Sequence, residues 1–331
     1  MTQVTETPTR AGVPLRTAAA DRALGVVINP YAGGNRDEGR RALSIRQLVG
    51  DRGLVCETGS LDEIEDVARE FRRRNIEILA ICGGDGSFFR TLSAMVRVYE
   101  GAPLPRFLPL RAGSMNTIAR AVGCRRGTPE AVLAAVVADH RHGRTFDIAE
   151  HHLIHVNGRH YGFLVGSGLI VNFLQAYYER PQRGPLAAAR LLARVAIGGL
   201  VRSQEVRRLF EVPETSVVCD GVDLGRQIYR IVFGSTVAEI GLGFRLTYRA
   251  VAGIRGFHLV AGSLAPLQVL GLLPRVRLGQ PLALEGWHDE LAQRVVVEFT
   301  EPTRYMIDGD ILEEVTRLEM STGPRLAIIR K

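Results

Sequence analysis

Strand and helix in alternation up to Asp147, then a run of hairpins, predict an α/β domain with a doubly wound, mostly parallel sheet. A mainly antiparallel β-sandwich domain follows it. Three observations carry this. From Ala23 to Asp147 short apolar runs alternate with amphipathic stretches; beyond it the chain pivots on Asn157-Gly158, Asp220-Gly221 and Asp308-Gly309, favoured two-residue turns; and 331 residues exceed one ordinary core. The expected division is a loose tail at 1–21, the α/β domain at 22–147 and the antiparallel domain at 148–331. The last strands, "RLEMS" and "RLAIIRK", are free to return to either half.

In chain order, "LGVVI" is a strand, "NPYAGGN" a glycine-rich turn, and a helix ends near Gly50. "LVCET" is the second strand. Ser60 with Glu63 three residues on forms a capping box, and Ile64, Val67, Ala68 and Phe71 share one helical face. "IEILAI" is the third strand; it runs into Gly83-Gly84-Asp85-Gly86 and a helix through Tyr99. "RFLPL" then leads through "RAGSMN" into another helix, and Thr128-Pro129 opens the helix "PEAVLAAVVADH". In the second half, helices are expected at roughly 185–206 and 264–275 among the hairpins.

Composition narrows the chemistry. Apolar residues make up 46% and charged residues 23%, an ordinary globular balance. The net charge is +7, yet of 42 basic residues the only lysine is Lys331. A P-loop lysine and a Schiff-base lysine are therefore unavailable, and a phosphate must be held by arginine, backbone N–H groups or a metal. Cys56, Cys82, Cys124 and Cys219 are scattered without metal or disulfide spacing and read as reduced core thiols of a cytoplasmic protein. No signal peptide or membrane span is legible. His151 and His155, about 13 Å apart along a strand, cannot share one ion. The arginine runs read as helix-dipole partners and not as a nucleic-acid surface.

The glycines at 83, 84 and 86 sit at the carboxyl end of a buried strand, where open α/β sheets bind ligands. Bare backbone lets a polyanion reach N–H groups, and the helix that follows offers its positive end. Asp85 cannot face a phosphate without repulsion and is expected to act through Mg²⁺. "NPYAGGN" and "RAGSMN" end neighbouring strands in the same way, so the three loops form a phosphate-binding rim without a Walker sequence.

With "VVINPYAGG", "ICGGDGSF", "LPLRAGSMNTIARAVG", "DIAE" and "MIDGD" in this order, the chain resembles the diacylglycerol kinase catalytic-domain family of lipid kinases, which includes bacterial diacylglycerol, sphingosine and ceramide kinases. The resemblance covers roughly residues 22–330. It implies an α/β nucleotide-binding domain, a β-sandwich lipid-binding domain, and ATP with Mg²⁺ in the cleft between them. Carried over, Asn29, Gly33 and Gly34 match the first phosphate loop; Gly83, Gly84, Asp85, Gly86 and Ser87 the nucleotide loop; and Gly113, Ser114 and Asn116 the third. The resemblance further implies a metal held through Asp85 and Asp147, Asp308 as candidate general base with Asp310 beside it, and Arg183 reaching the nucleotide phosphates. The chain departs from the usual bacterial pattern at Phe89-Arg90 (there Asn-Glu), Thr117 (Asp), Gly34 (Lys) and Asp310 (Glu).

The function implied is in-line transfer of the terminal phosphate of ATP to the hydroxyl of a diacylglycerol- or sphingoid-type lipid. Alternatives are a catalytically weakened lipid-binding relative and an NAD kinase-type enzyme with a soluble acceptor. The helix "PLAAARLLARVAIGGLV" has an arginine-bearing face that suits peripheral contact with an anionic membrane, or else packs as a core helix. The lipid's identity and the oligomeric state are not legible; a homodimer is one option.

Overall fold

The computed structural model of the chain describes residues 24–33, 39–181, 184–200 and 203–331. The expected tail at 1–21 lies outside them. In the first half β1 (Leu24–Ile28), α1 (Arg40–Val49), β2 (Gly53–Glu57), α2 (Leu61–Arg73), β3 (Ile78–Gly83), α3 (Asp85–Tyr99), β4 (Arg106–Arg111), α4 (Thr117–Ala121) and α5 (Pro129–Arg141) follow one another. The strands pair in parallel in the order β2-β1-β3-β4. Helices cover both faces, so β1 and β3 are buried along their whole length, as such sheets require. The two-residue period of β3 sorts its side chains. Leu79 and Ile81 join Phe71, Leu92 and Met95 on one face; Ile78 and Ala80 join Ile45, Val49, Leu133 and Val136 on the other.

The second half contains β5 (Ile148–Val156), β6 (His160–Gly162), β7 (Leu164–Gly168), α6 (Leu169–Tyr178), α7 (Pro185–Leu200), α8 (Gln204–Phe210), β8 (Thr215–Cys219), β9 (Val222–Gln227), β10 (Ile231–Ser235), β11 (Phe257–Gly262), α9 (Pro266–Leu278), β12 (His288–Ala292), β13 (Arg294–Ile307) and β14 (Asp310–Ile329). Each expected hairpin forms where its turn pair stands. Val156 faces His160, Cys219 faces Val222, and Ile307 faces Asp310. Both turn residues have positive φ in each: Asn157 and Gly158, Asp220 and Gly221, Asp308 and Gly309. Strand order is β12-β11-β10-β7-β13-β14, with β5-β6 added on β14 and β8-β9 on β13. The end of β14 returns to the first half, where Ile328 lies parallel to Phe107 of β4, and hydrogen-bonded pairing runs through both halves without a break.

The helices of this half differ from expectation. The single helix expected at 185–206 is two, because Ser203 starts α8 as its N-cap, its hydroxyl accepting from Val206 N at 3.3 Å. The helix expected at 264–275 spans Pro266–Leu278, with Pro266 in its first turn. Helix α6 was not expected. Its core segment "LIVNFL" is apolar nearly throughout, so it lacks the polar interruptions that mark a surface helix. Among the described residues no helix is long and apolar enough to cross a membrane. All four cysteines are free.

The cap of α2 shows how closely local sequence sets the frame of the site. Ser60 Oγ accepts from Glu63 N, while the Glu63 carboxylate accepts from Gly59 N at 2.6 Å and Ser60 N at 3.3 Å. These backbone donors hold the Glu63 carboxyl below its usual range. Ser60→Ala is expected to lower unfolding free energy by about 1 kcal/mol, measured by urea denaturation, with Ser60→Asp recovering most of the loss.

Candidate functional site

The carboxyl ends of β1, β3 and β4 form one edge, and the three glycine-bearing loops meet there. Asn29 N donates to Cys82 O, and Asn29 Nδ2 donates to Ser87 Oγ at 2.7 Å, joining the first loop to the second. Ala112 N donates to Gly83 O at 3.0 Å, joining the second to the third. Asn116, at φ 50°, closes the third loop on itself: its Oδ1 accepts from Gly113 N and its Nδ2 donates to Gly113 O. The second and third loops touch main chain to main chain. A Cβ on Gly113 would stand 2.3 Å from Gly84 Cα, so that position accommodates no side chain, while one on Gly84 would press on Gly113 Cα at 3.1 Å.

Asp85, the first residue of α3, uses its carboxylate to cap α4. Thr117 N donates to one oxygen at 2.9 Å and Ile118 N to the other at 3.0 Å. Burial pushes its carboxyl pKa up, and these two N–H groups and Arg120 pull against that. Asp85 thus fixes the third loop to the second.

A cavity of about 920 Å³ runs from this edge into the antiparallel half. At one end Asn29, Gly33, Gly84, Gly86, Ser87 and Ser114 line it. At the other it is walled by apolar side chains of α6, α7 and α9 and of the sheet, among them Phe173, Leu192, Phe233 and Leu272. The hairpin turn Asp308-Gly309-Asp310 stands between the two ends. Asp308 is 2% exposed; its Oδ1 accepts from Phe163 N at 2.9 Å and Leu164 N at 2.8 Å, and its Oδ2 is buried without a partner. Burial pushes the Asp308 carboxyl well above the usual range against those two bonds, and the charges of Asp85 and Asp310 raise it further. Gly309 O accepts from Tyr178 Oη at 2.6 Å, which ties the turn to α6. The Asp310 carboxylate accepts from Arg90 Nε at 3.1 Å.

The expected residues are therefore brought together in large part. Asn29, Gly33, Gly84, Asp85, Gly86, Ser87, Gly113, Ser114, Asp308 and Asp310 all line the cavity. Gly83 and Asn116 lie behind it and shape the loops. Gly34 and Arg183 lie outside the described residues. The expected metal pair of Asp85 and Asp147 is not assembled. Both Asp85 oxygens are turned to α4, and Asp147 pairs with Arg330 at 2.5 Å and does not line the cavity. Among the described residues no three His, Cys, Asp or Glu side chains converge as a metal site. What fits is a Mg²⁺ carried in by phosphates, since this ion commonly takes only one or two carboxylates from the protein; Asp310, which lines the cavity beside Gly86, is the group that suits it. The bare cradle at Gly84, Gly86 and Gly113 suits the phosphates themselves. His151 bonds Thr236 O, and His155 stacks on Tyr161.

Sequence reasoning missed the Arg90–Asp310 pair, the capping role of Asp85 and the tether from Tyr178. The first had a signal: both partners had been noted as departures from the family pattern. The other two span elements far apart in the chain and had none.

Residues 23–150 match the family model described as the diacylglycerol kinase catalytic domain, so the likeness read from the motifs holds over this stretch. No curated protein matches the chain. Among solved structures, a crystal structure of a diacylglycerol kinase from Bacillus anthracis str. Sterne aligns with a TM-score of 0.66 at 13% identity, covering 94% of this chain and 97% of that one. A further structure assigned to the same class from the same organism aligns at 0.67 and 12% identity with the same coverage. At such identity the likeness is one of fold.

Two outcomes are expected. Gly113→Ala drives a methyl group into Gly84 and should cost about 1–3 kcal/mol, read in urea denaturation. For Asp308 the fold favours the neutral carboxyl. Its stabilisation is complete below the ordinary carboxylate range and is lost as pH rises through the raised value. Asp308→Asn should therefore have the higher thermal midpoint, by a margin that widens as pH rises from the ordinary carboxylate range through the raised value; a constant or shrinking margin contradicts this.

Proposed function

We propose that the chain is an ATP-dependent lipid kinase that phosphorylates a hydroxyl group of a long-chain lipid of the diacylglycerol or sphingoid type. The observation that carries the proposal is one continuous cavity with a bare-backbone rim at one end and an apolar lobe at the other, lined also by the buried Asp308.

The triphosphate lies along the loops at Gly33, Gly84, Gly86 and Ser114, and the acyl chain fills the lobe. The lipid hydroxyl then faces Asp308. Its oxygen attacks the terminal phosphorus, the bond from that phosphorus to the bridging oxygen breaks, ADP leaves, and the hydroxyl proton passes to Asp308. A carboxyl whose pKa is raised by burial is better suited to take that proton than an ordinary, exposed one. Phe163 N and Leu164 N orient the carboxylate through Oδ1 and leave Oδ2 free for the work. A Mg²⁺ entering with the phosphates would be held on the protein's side by Asp310 and would neutralise phosphate charge. Positioning and electrostatics account for most of the rate in such transfers.

The lipid arrives from a membrane surface. Leu186 on α7 and Leu267 and Leu278 on α9 are exposed, and both helices wall the apolar lobe. A soluble acceptor such as NAD is disfavoured, because the lobe offers its polar groups almost no partners. A weakened, lipid-binding role is the second reading; it draws on Arg90, whose ion pair with Asp310 stands over the loop where phosphate would lie.

The test is Mg-ATP turnover with mixed micelles of diacylglycerol, monoacylglycerol, a sphingoid base or ceramide, against NAD and no acceptor. Acceptor-dependent ADP release with phosphorylated lipid is expected, falling on the order of 10²–10⁴-fold in Asp308→Asn. Lipid binding without turnover on any of them would sink the kinase reading in favour of the second.

A further inference from the structure

Among the described residues that line the cavity, Arg90 alone carries a positive charge, against the three carboxylates Asp85, Asp308 and Asp310. Among the described side chains, a nucleotide triphosphate entering here meets carboxyl groups and one positive charge.

The position of Arg90 is set by α3. It lies four residues after Gly86, on the same helical face, and side chains on a helix lean towards its N-terminus. Arg90 therefore reaches back over the glycine loop. Asp310 occupies the same place from the opposite side: its Oδ1 lies 2.6 Å from where a Cβ on Gly86 would stand. The two charges meet above Gly86, against the backbone that would carry the phosphates.

Their pairing is easily exchanged. Arg90 Nε stands 3.1 Å from Asp310 Oδ2, with side chains 50% and 26% exposed. Such half-solvated pairs contribute about 0–1 kcal/mol. A phosphate offers the guanidinium fork more acceptors and more charge than one carboxylate oxygen does.

Resting on the kinase reading, we infer that Arg90 leaves Asp310 and binds the terminal phosphate of ATP, so that it is a catalytic residue which distinguishes triphosphate from diphosphate. Asp310 holds it in place while the loop is empty and is freed towards the phosphate-borne metal when the loop fills. After transfer the terminal phosphoryl group departs with the lipid, Arg90 returns to Asp310, and ADP is left without its grip.

Equilibrium binding tests this without turnover. ADP and the non-hydrolysable β,γ-imido analogue of ATP are titrated calorimetrically into wild type, Arg90→Gln, Arg90→Lys and Asp310→Asn, each checked for native circular dichroism and thermal midpoint. Arg90→Gln is expected to lose about 10- to 100-fold in affinity for the triphosphate analogue, with ADP affinity within about twofold of wild type. Arg90→Lys should fall between the two. Asp310→Asn should bind the analogue at least as tightly as wild type in the absence of Mg²⁺. Equal losses for both nucleotides in Arg90→Gln, no loss for either, or Asp310→Asn reproducing Arg90→Gln would each overturn the assignment. Wild type that binds neither nucleotide sinks the kinase reading and Arg90's role together; wild type that binds both yet phosphorylates no lipid sinks the acceptor alone.

Discussion

The Asp85 carboxylate, shared between Thr117 N and Ile118 N, is the interaction on which the site depends. It fastens the start of α3 to the start of α4. Gly84 and Gly113 can then lie main chain against main chain, and two orphan amides of a five-residue helix that has no side-chain cap from its own N-cap residue are satisfied. A negative charge at two helix starts is electrostatically favoured. It also gives the second and third loops one fixed geometry, and it stands close enough to Asp308 to raise the pKa of that carboxyl. One aspartate thus shapes the cradle and tunes the group across from it.

The cavity divides its chemistry along its length. Where the sheet edge supplies it, the lining is backbone and small polar side chains, and the groups a polyanion needs are already exposed. Where α6, α7 and α9 supply it, the lining is aliphatic and aromatic, and burial of an acyl chain is favoured by about 0.8 kcal/mol per methylene. The Asp308 turn marks the border because a two-residue hairpin with both φ positive is the tightest way to present a carboxylate from the end of a ladder. Asp-Gly is therefore at once the turn chemistry and the placement of that carboxylate.

Much of the frame was legible in the sequence. Turn pairs at 157, 220 and 308 announced the hairpins because positive φ restricts which residues serve, and Ser60 with Glu63 announced α2 because the capping box is local. The glycine loops were legible for the same reason, since bare backbone at a strand end has few other uses. What was not legible was relational. α6 hid in an apolar run whose burial comes from tertiary packing. Asp85 read as a metal ligand because nothing local shows that its oxygens meet amides 32 and 33 residues on. The pairing of Arg90 with Asp310 spans 220 residues, and the place of Asp147 follows from an ion pair with Arg330 near the chain's end.

Strand β14 begins at Asp310, in the cavity, and ends beside β4 of the parallel half. A ladder that crosses from one half to the other acts as a splint. Wide hinge opening about the cleft would have to shear the contact between β14 and β4 and flex the 20-residue strand that carries the turn. Any rearrangement at the cavity then falls to the parts the ladder does not brace: the loops at the sheet edge, the irregular segment between β10 and β11, and the helices over the apolar lobe. The Asp308 turn is held at the end of the ladder that joins the two halves.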